Sequence, residues 1–245
     1  MKDEIKVIRK KAERGIDRIT INEKNRVPFL TFPLLEQFDW IVHGFSTRLG
    51  GVSTGDQGSM NTSFSREPDA DHVRENHRRL AAAIGYDEKN LVFSCQTHTT
   101  NVLKVTGKDR GNGYSKEQAY QDIDGLITDE PGLVLATFYA DCVPLYIVDP
   151  VHRAIGSSHS GWRGTVANMG KATLDKMSEA YGTRPQEVYA AIGPSICQDC
   201  YEVSSDVIDQ FREAYPEPVW GRLFYEKPNG RYQLNLQEAC RLNFM

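Results

Sequence analysis

LVLATFYADCVPLYIVD (133–149) and, four residues further on, AIGSSHSGWRG (154–164) are apolar runs that each break into polar, reactive residues. Leu133–Phe138, Pro144–Val148 and Arg153–Ser158 read as strands, too short to be helices and rich in β-branched side chains. Cys142 lies between the first two, behind Tyr139, Ala140 and Asp141. His159 follows the third, ahead of Gly161, Trp162, Arg163 and Gly164. A reactive side chain placed where a buried strand gives way to a turn is how α/β sheets present their sites.

Working outward, Trp40–Ser46, Leu91–Cys95, Asn101–Val105 and Val188–Ile192 have the same strand character, and the Leu91 run leads into Gln96, Thr97 and His98. Helical periods lie between the strands. Asp69 or Asp71 is placed to cap a helix carrying Val73, Leu80 and Ile84 on one face, stopped by Gly85. A second helix is expected over 166–181, with Met169, Ala172, Thr173 and Met177 inward and Gly182 as its stop. A third begins at Ser204 or Ser205 and ends near Tyr215, with Val207, Ile208 and Phe211 together. Strands outnumber helices without alternating strictly with them, which predicts a mixed α/β fold. No repeat or linker divides the chain, so one domain over 31–245 is expected, preceded by an N-terminal extension at 1–30. Leu49–Pro68 and Gly107–Asp122 are long, Gly- and polar-rich segments of the kind that wall or cover a site.

Composition narrows the function. The 245 residues carry 29 basic and 33 acidic side chains, a net charge of −4 with no basic stripe, which excludes a nucleic-acid backbone binder. The uncharged apolar stretch around Leu133–Ala140 is far shorter than the ~18 residues of a membrane span. The start of the chain lacks the apolar core of a secretory signal, so a cytoplasmic, reducing location is expected and the five cysteines read as free thiols. Cys197-Gln198-Asp199-Cys200 is a single CxxC with no second pair, which reads first as a turn. His43, His72, His77 and His152 lack visible partners and read as structural or surface histidines. No HExxH, phosphate-binding GxxxxGK[ST] or nucleobase-deaminase pattern is present.

His98, Cys142 and His159 have no local metal spacing and meet only if the fold brings them together. If it does, two imidazoles and a thiolate suit zinc, and three protein ligands leave a fourth position open, the arrangement of catalytic sites. The same donors suit copper. Taken alone, Cys142 and His98 read equally well as ordinary small or structural residues. Arg48 and Arg163 have glycines around them, which let backbone approach a ligand and leave the guanidinium free to grip phosphate or carboxylate; a surface salt bridge is an equal reading for either.

HGFSTRLGGVS (43–53), QTHTTNV (96–102), DIDGLITDEPGLVLATFYADCVPLYIVDP (122–150), AIGSSHSGWRGTVANMG (154–170) and AAIGPSICQDCYEV (190–203) together resemble the laccase-domain family of purine nucleoside phosphorylases. That family is also called multicopper polyphenol oxidoreductase and includes the bacterial peptidoglycan-editing factor. The resemblance spans about Phe32 to Gln237. It implies an α/β fold of layered mixed sheets with flanking helices, distantly similar to toxin-type cysteine deamidases. It implies His98, Cys142 and His159 as metal ligands, with zinc preferred to copper, and carries Arg48 and Arg163 over as motif arginines. It also implies phosphorolysis of adenosine, inosine and methylthioadenosine, with adenosine deamination as a second reaction, so purine nucleosides and phosphate are the expected partners. Asn61 falls where the family has an Asn after its GGVS stretch, but the Ser-Met-Asn-Thr-Ser context at 59–63 departs from the usual apolar neighbours.

Phosphorolysis would place phosphate on Arg48 and Arg163. In deamination Asp141 would shuttle protons, or else hydrogen-bond a ligand histidine. Two other chemistries compete. A metal-free thiol hydrolase, with Cys142 as nucleophile and His159 as base, would suit an amidase acting on peptidoglycan precursors. Copper-dependent phenol oxidation needs about ten His, Cys and Met ligands for a multinuclear centre, and the chain has six histidines. At the other end, a helix starting at Asn235 carries Leu236, Ala239, Cys240 and Leu242 inward and reaches Met245 without a C-cap. Members of the resembled family continue into a further strand with a Tyr-Arg-Arg type motif, so a shortened or divergent version lacking its last layer is expected.

Overall fold

A computed structural model describes residues 19–66 and 69–245. An antiparallel ribbon comes first: β1 (Thr20–Lys24) and β2 (Val27–Thr31), with the short β3 (Phe45–Ser46) added to the free side of β2. All five residues of β2 are buried, so the boundary drawn at residue 30 falls inside this strand. The strand expected over 40–46 is confined to its last two residues, because Phe32 begins the short helix α1 (Pro33–Glu36) and the chain wanders back through 37–44.

Helix α2 (Ala70–Ile84) is bounded as its caps predict. The Asp69 side chain accepts from Asp71 N–H, and Gly85 adopts φ 102°, returning its N–H to Ala81 O. Next come β4 (Leu91–Phe93), β5 (Val102–Lys104), β6 (Gly125–Thr128) and β7 (Val134–Ala136), followed by the long hairpin β8 (Val143–Asp149) and β9 (Ala154–Ser160). Asp149 closes this hairpin by accepting the N–H groups of Val151 and His152.

The helix expected over 166–181 is α4 (Met169–Tyr181), which starts three residues later, and a separate short helix, α3 (Trp162–Val166), precedes it. Asn168 causes the break: it takes a left-handed conformation, φ 58°, and its side chain accepts from Lys171 N–H as the cap of α4. Beyond them lie β10 (Tyr189–Ile192), β11 (Glu202–Val203), α5 (Ser205–Ala214), α6 (Trp220–Leu223), β12 (Phe224–Glu226), β13 (Tyr232–Leu234) and α7 (Leu236–Asn243). Asn235 caps α7 through Glu238 N–H. At its other end Phe244 N–H bonds back to Arg241 O and Leu242 O, which supplies the terminus the sequence lacked a signal for.

The central sheet has the order β10-β8-β9-β6-β5, antiparallel except for β5 with β6. Smaller sheets are β4-β7, parallel, and β11-β13-β12, antiparallel. The protein is thus mixed α/β with several sheets and flanking helices. Helix α4 lies on the central sheet at glycines: a Cβ at Gly156 would stand 3.0 Å from Thr173 Cγ2, and one at Gly125 would stand 2.8 Å from Met169 Cε. Met177, Ile127 and Ile147 share the core under this contact, each contributing about 1.5–3 kcal/mol by its burial. A second core joins α5, α6, α7 and the β11-β13-β12 sheet to the start of β8 through Val143 and Leu145. Between these two cores the β8–β9 hairpin is held rigidly, and its open end carries the site. Among the described residues no helix is long and apolar enough to cross a membrane.

Candidate metal centre

Antiparallel pairing of β8 with β9 brings two of the sequence-selected residues together. Val143 faces Ser160 and Pro144 faces His159, so Cys142, one residue before β8, meets the end of β9. The site therefore forms where one strand begins and its neighbour ends, unlike a parallel sheet with its site at successive carboxyl ends. The third residue, His98, arrives on the loop after β4. The ligand atoms of His98, Cys142 and His159 lie within 4.8 Å of one another. Cys142 Sγ is 3.8 Å from His98 Nε2, and the two imidazoles meet edge to face at 4.9 Å.

Gly161 makes room for this meeting. A Cβ at that position would stand 2.7 Å from His98 Cδ2 and 3.0 Å from Cys142 Sγ. The space between the two ligands is thus left by the absence of a side chain.

Asp124 organises the cluster, and its role was not drawn from the sequence. It is fully buried. Its Oδ1 accepts from His159 Nδ1 at 2.8 Å and from His98 N–H at 3.0 Å. Its Oδ2 accepts from the N–H groups of Thr97 and Thr99 at 3.0 and 2.9 Å and from the Thr99 hydroxyl at 3.0 Å. Burial pushes its carboxyl up, but the bonds from His159, Thr99 and Thr97 outweigh it and hold the pKa at about 2. One carboxylate thus fixes both histidines: it wraps the backbone of the His98 loop, whose central residue takes φ 67°, and it orients the His159 ring so that Nε2 faces Cys142. Burial lowers the His159 pKa, while the bonds to Asp124 and Cys142 raise it further, to about 9 in the metal-free protein. Asp122, two residues earlier, accepts from the Thr97 hydroxyl. Two acids directly ahead of a buried strand were the available signal for this device.

Gln96 ties the same loop to the segment after β7. Its Oε1 accepts from Phe138 N–H and from the Ser94 hydroxyl, both at 2.8 Å, and its Nε2 donates to Phe138 O at 2.7 Å. The Tyr139 ring packs on His159 at 5.7 Å and on Phe45 at 6.0 Å, which brings β3 alongside the site.

Arg48 is exposed and donates to Gly58 O through Nε and Nη2. Asn61 Oδ1 accepts from Ser63 N–H at 3.0 Å. Both belong to the segment 48–63, which Asn76 of α2 anchors: this fully buried amide accepts from Val52 N–H and donates to Ser53 Oγ, Ser59 O and Asn61 O. Arg163 is exposed in α3 with its guanidinium 4.3 Å from the Trp162 ring centroid. Asp141 is exposed, and its carbonyl accepts from Ile196 N–H at 2.9 Å. Burial, with Cys142 and Asp141 nearby, raises the Tyr201 phenol above the ordinary value.

The remaining histidines do have partners. His43 accepts from Phe32 N–H, His77 bonds Thr62 O and His152 donates to Asp149, while His72 lies 3.6 Å from the Asp69 carboxylate. Two of these partners, residue 32 for 43 and 62 for 77, lie beyond local sequence and become visible only in the fold.

Residues 42–245 match the family described as multi-copper polyphenol oxidoreductase laccase. The chain belongs to this family. Over 84% of its length it is 39% identical to a purine nucleoside phosphorylase, YlmD, of Bacillus subtilis, covering 73% of that protein. It is 35% identical to the adenosine deaminase RL5 of an unknown prokaryotic organism, over 71% of this chain and 67% of that one. The crystal structure of YlmD from Geobacillus stearothermophilus superimposes with a TM-score of 0.82 at 34% identity, covering 93% of this chain and 83% of the other. The family description speaks of several coppers, yet among the described residues one His/Cys/Asp/Glu group has metal-binding geometry, and it is His98, Cys142 and His159.

Proposed function

We propose that the protein is a zinc-dependent purine nucleoside enzyme that phosphorolyses adenosine, inosine and methylthioadenosine and deaminates adenosine as a second activity. The observation that carries this is the convergence of His98, Cys142 and His159 around the space left by Gly161. The donor set fits the metal. Tetrahedral zinc with bonds of about 2.0–2.3 Å holds its ligand atoms roughly 3.3–3.6 Å apart, and Cys142 Sγ stands 3.8 Å from His98 Nε2 with all three ligand atoms within 4.8 Å of one another. The names borne by the relatives support the substrate class.

When bound, zinc supplies a Lewis acid with one position free for substrate. The chain's own residues do the rest. Asp124 keeps the proton of His159 on Nδ1, so Nε2 offers its lone pair to the centre. Arg48 and Arg163 hold phosphate and orient one of its oxygens toward the ribose carbon as the glycosidic bond lengthens. Asn61 contacts the nucleoside, and the exposed Asp141 moves protons in deamination. Copper would sit on the same donors. A single three-ligand centre supports polyphenol oxidation poorly, because that chemistry needs a multinuclear assembly of about ten ligands.

One observation favours a second reading. Asp124, His159 and Cys142 are connected in the order of an acid–base–nucleophile triad, which suits a metal-free amidase. Chromatographic product analysis with inosine, adenosine and phosphate separates the two. The zinc enzyme releases purine only with phosphate present, loses activity and metal together in Cys142→Ala, and shows a raised KM for phosphate in Arg48→Ala or Arg163→Ala. Inosine turnover unchanged in Cys142→Ala would overturn the assignment, and activity that survives chelation would favour the triad.

A further inference from the structure

The CxxC segment takes no part in the metal centre, and its geometry is that of a reactive pair. Cys197 and Cys200 are both exposed free thiols. Cys197 caps a single 3-10 turn, Gln198–Cys200, of which Cys200 is the last residue; Cys200 N–H donates to Cys197 O at 3.0 Å and Tyr201 N–H donates to the same carbonyl at 3.1 Å. A hydrogen-bonded turn of this kind keeps its first and fourth Cα atoms within about 7 Å, overlapping the window of about 4.4–6.8 Å that a disulfide spans. The turn is also tethered at both ends: Ile196 N–H donates to Asp141 O, and Tyr201 O accepts from Leu234 N–H. The pair is therefore held close by backbone bonds that closure of a disulfide leaves intact.

We infer that Cys197 and Cys200 form a dithiol–disulfide exchange site that takes low-molecular-weight disulfides, with Cys197 as the attacking thiol and Cys200 as the resolving one. A zinc knuckle is the competing use of a CxxC, and it needs four ligands. Among the described residues the one metal-competent group contains neither of these cysteines. The division of roles follows from the turn. The Cys200 thiol donates toward Cys197, and the N–H groups of Cys200 and Asp199 point the same way, which lowers the Cys197 pKa; the Cys200 thiol, as the donor, is raised.

The reaction balances with a disulfide RSSR as oxidant. Cys197 thiolate attacks one sulfur of RSSR, forming a mixed disulfide and expelling RS⁻, which takes up a proton. Cys200 thiolate then attacks the Cys197 sulfur and expels the second RS⁻. The dithiol loses two electrons and two protons, and RSSR becomes two RSH. Both sulfurs are solvent-exposed, so the incoming disulfide needs no local opening.

The test uses the full-length protein incubated with oxidised glutathione, quenched by alkylation and mapped by peptide mass spectrometry. The wild type should yield a 197–200 peptide lacking two hydrogens, with no alkyl group on either cysteine. Cys200→Ser should stop at a glutathione adduct on Cys197, and in Cys197→Ser the adduct on Cys200 should form at least about tenfold more slowly. Full alkylation of both thiols in the wild type would overturn the proposal, as would a wild-type mixed disulfide that never resolves. Equal rates in the two single variants would overturn the assignment of roles. Far-UV circular dichroism on each variant shows that the fold is retained, and the wild-type arm stands without the variants.

Discussion

Replacing Asp124 with Asn keeps the shape of the side chain and removes an acceptor from a buried position that uses five hydrogen bonds. The amide has one oxygen for these donors. Placing it at Oδ2 retains the bonds from Thr97 and Thr99 and turns the NH2 toward His98 N–H and His159. The His98 amide then loses its acceptor, a cost of about 1–3 kcal/mol for a buried donor. His159 can accept from the new NH2 only through Nδ1, which moves its proton to Nε2, the nitrogen that faces Cys142. The histidine then cannot ligate without giving up that bond. Loss of an outer partner of this sort typically weakens metal binding about 10–100-fold, and the tautomer conflict puts Asp124→Asn toward the upper end. Zinc affinity measured by competition with a chromophoric chelator reads this directly, and the melting temperature of the metal-free variant separates it from unfolding. Zinc binding within twofold of wild type in a folded Asp124→Asn protein would refute the claim that this carboxylate sets the ligand histidines.

Gly161→Ala introduces a methyl 2.7 Å from His98 Cδ2 and 3.0 Å from Cys142 Sγ. The exposed His98 ring should yield, so zinc affinity should fall about tenfold or more with little change in melting temperature; retained affinity would show that the space is not needed. In the metal-free protein, His159 is raised to about 9, so the His159–Asp124 pair is fully stabilising below the free histidine value near 6.5 and is lost as pH rises through about 9. On the acid side Asp124, held at about 2, contributes above about 4 and loses that contribution as pH falls through 2. The melting temperature of the stripped protein should therefore decline between pH 6.5 and 9, a decline absent from Asp124→Asn, and a flat profile would count against the ion pair.

What the sequence made legible was local. The α2 boundaries followed from Asp69 and Gly85, the α5 face from Val207, Ile208 and Phe211, and the positions of β8 and β9, though not their pairing, from their short apolar runs. These signals act within a turn or two of the residues that carry them. The start of α4 at Met169 instead of 166 was missed because the apolar periodicity runs through 166–168 and only the left-handed Asn168 cap marks the boundary. Strands β1, β2, β6 and β11–β13 were missed because two- to five-residue runs acquire strand character from their partners. At the site, the three candidate ligands were legible as reactive residues beside strands and through family resemblance. Asp124 was not, since its importance lies in contacts to residues 97–99 and 159, between 25 and 35 positions away. Gly161 likewise reads as an ordinary turn glycine until His98 is brought against it.

The most direct measurement is inosine turnover by one preparation in three states: as purified, stripped by chelation, and reconstituted with one equivalent of zinc, each with and without phosphate. The account predicts hypoxanthine and ribose 1-phosphate from the first and third states only, and only with phosphate. Equal hypoxanthine release from the stripped protein, or release that ignores phosphate, would contradict it.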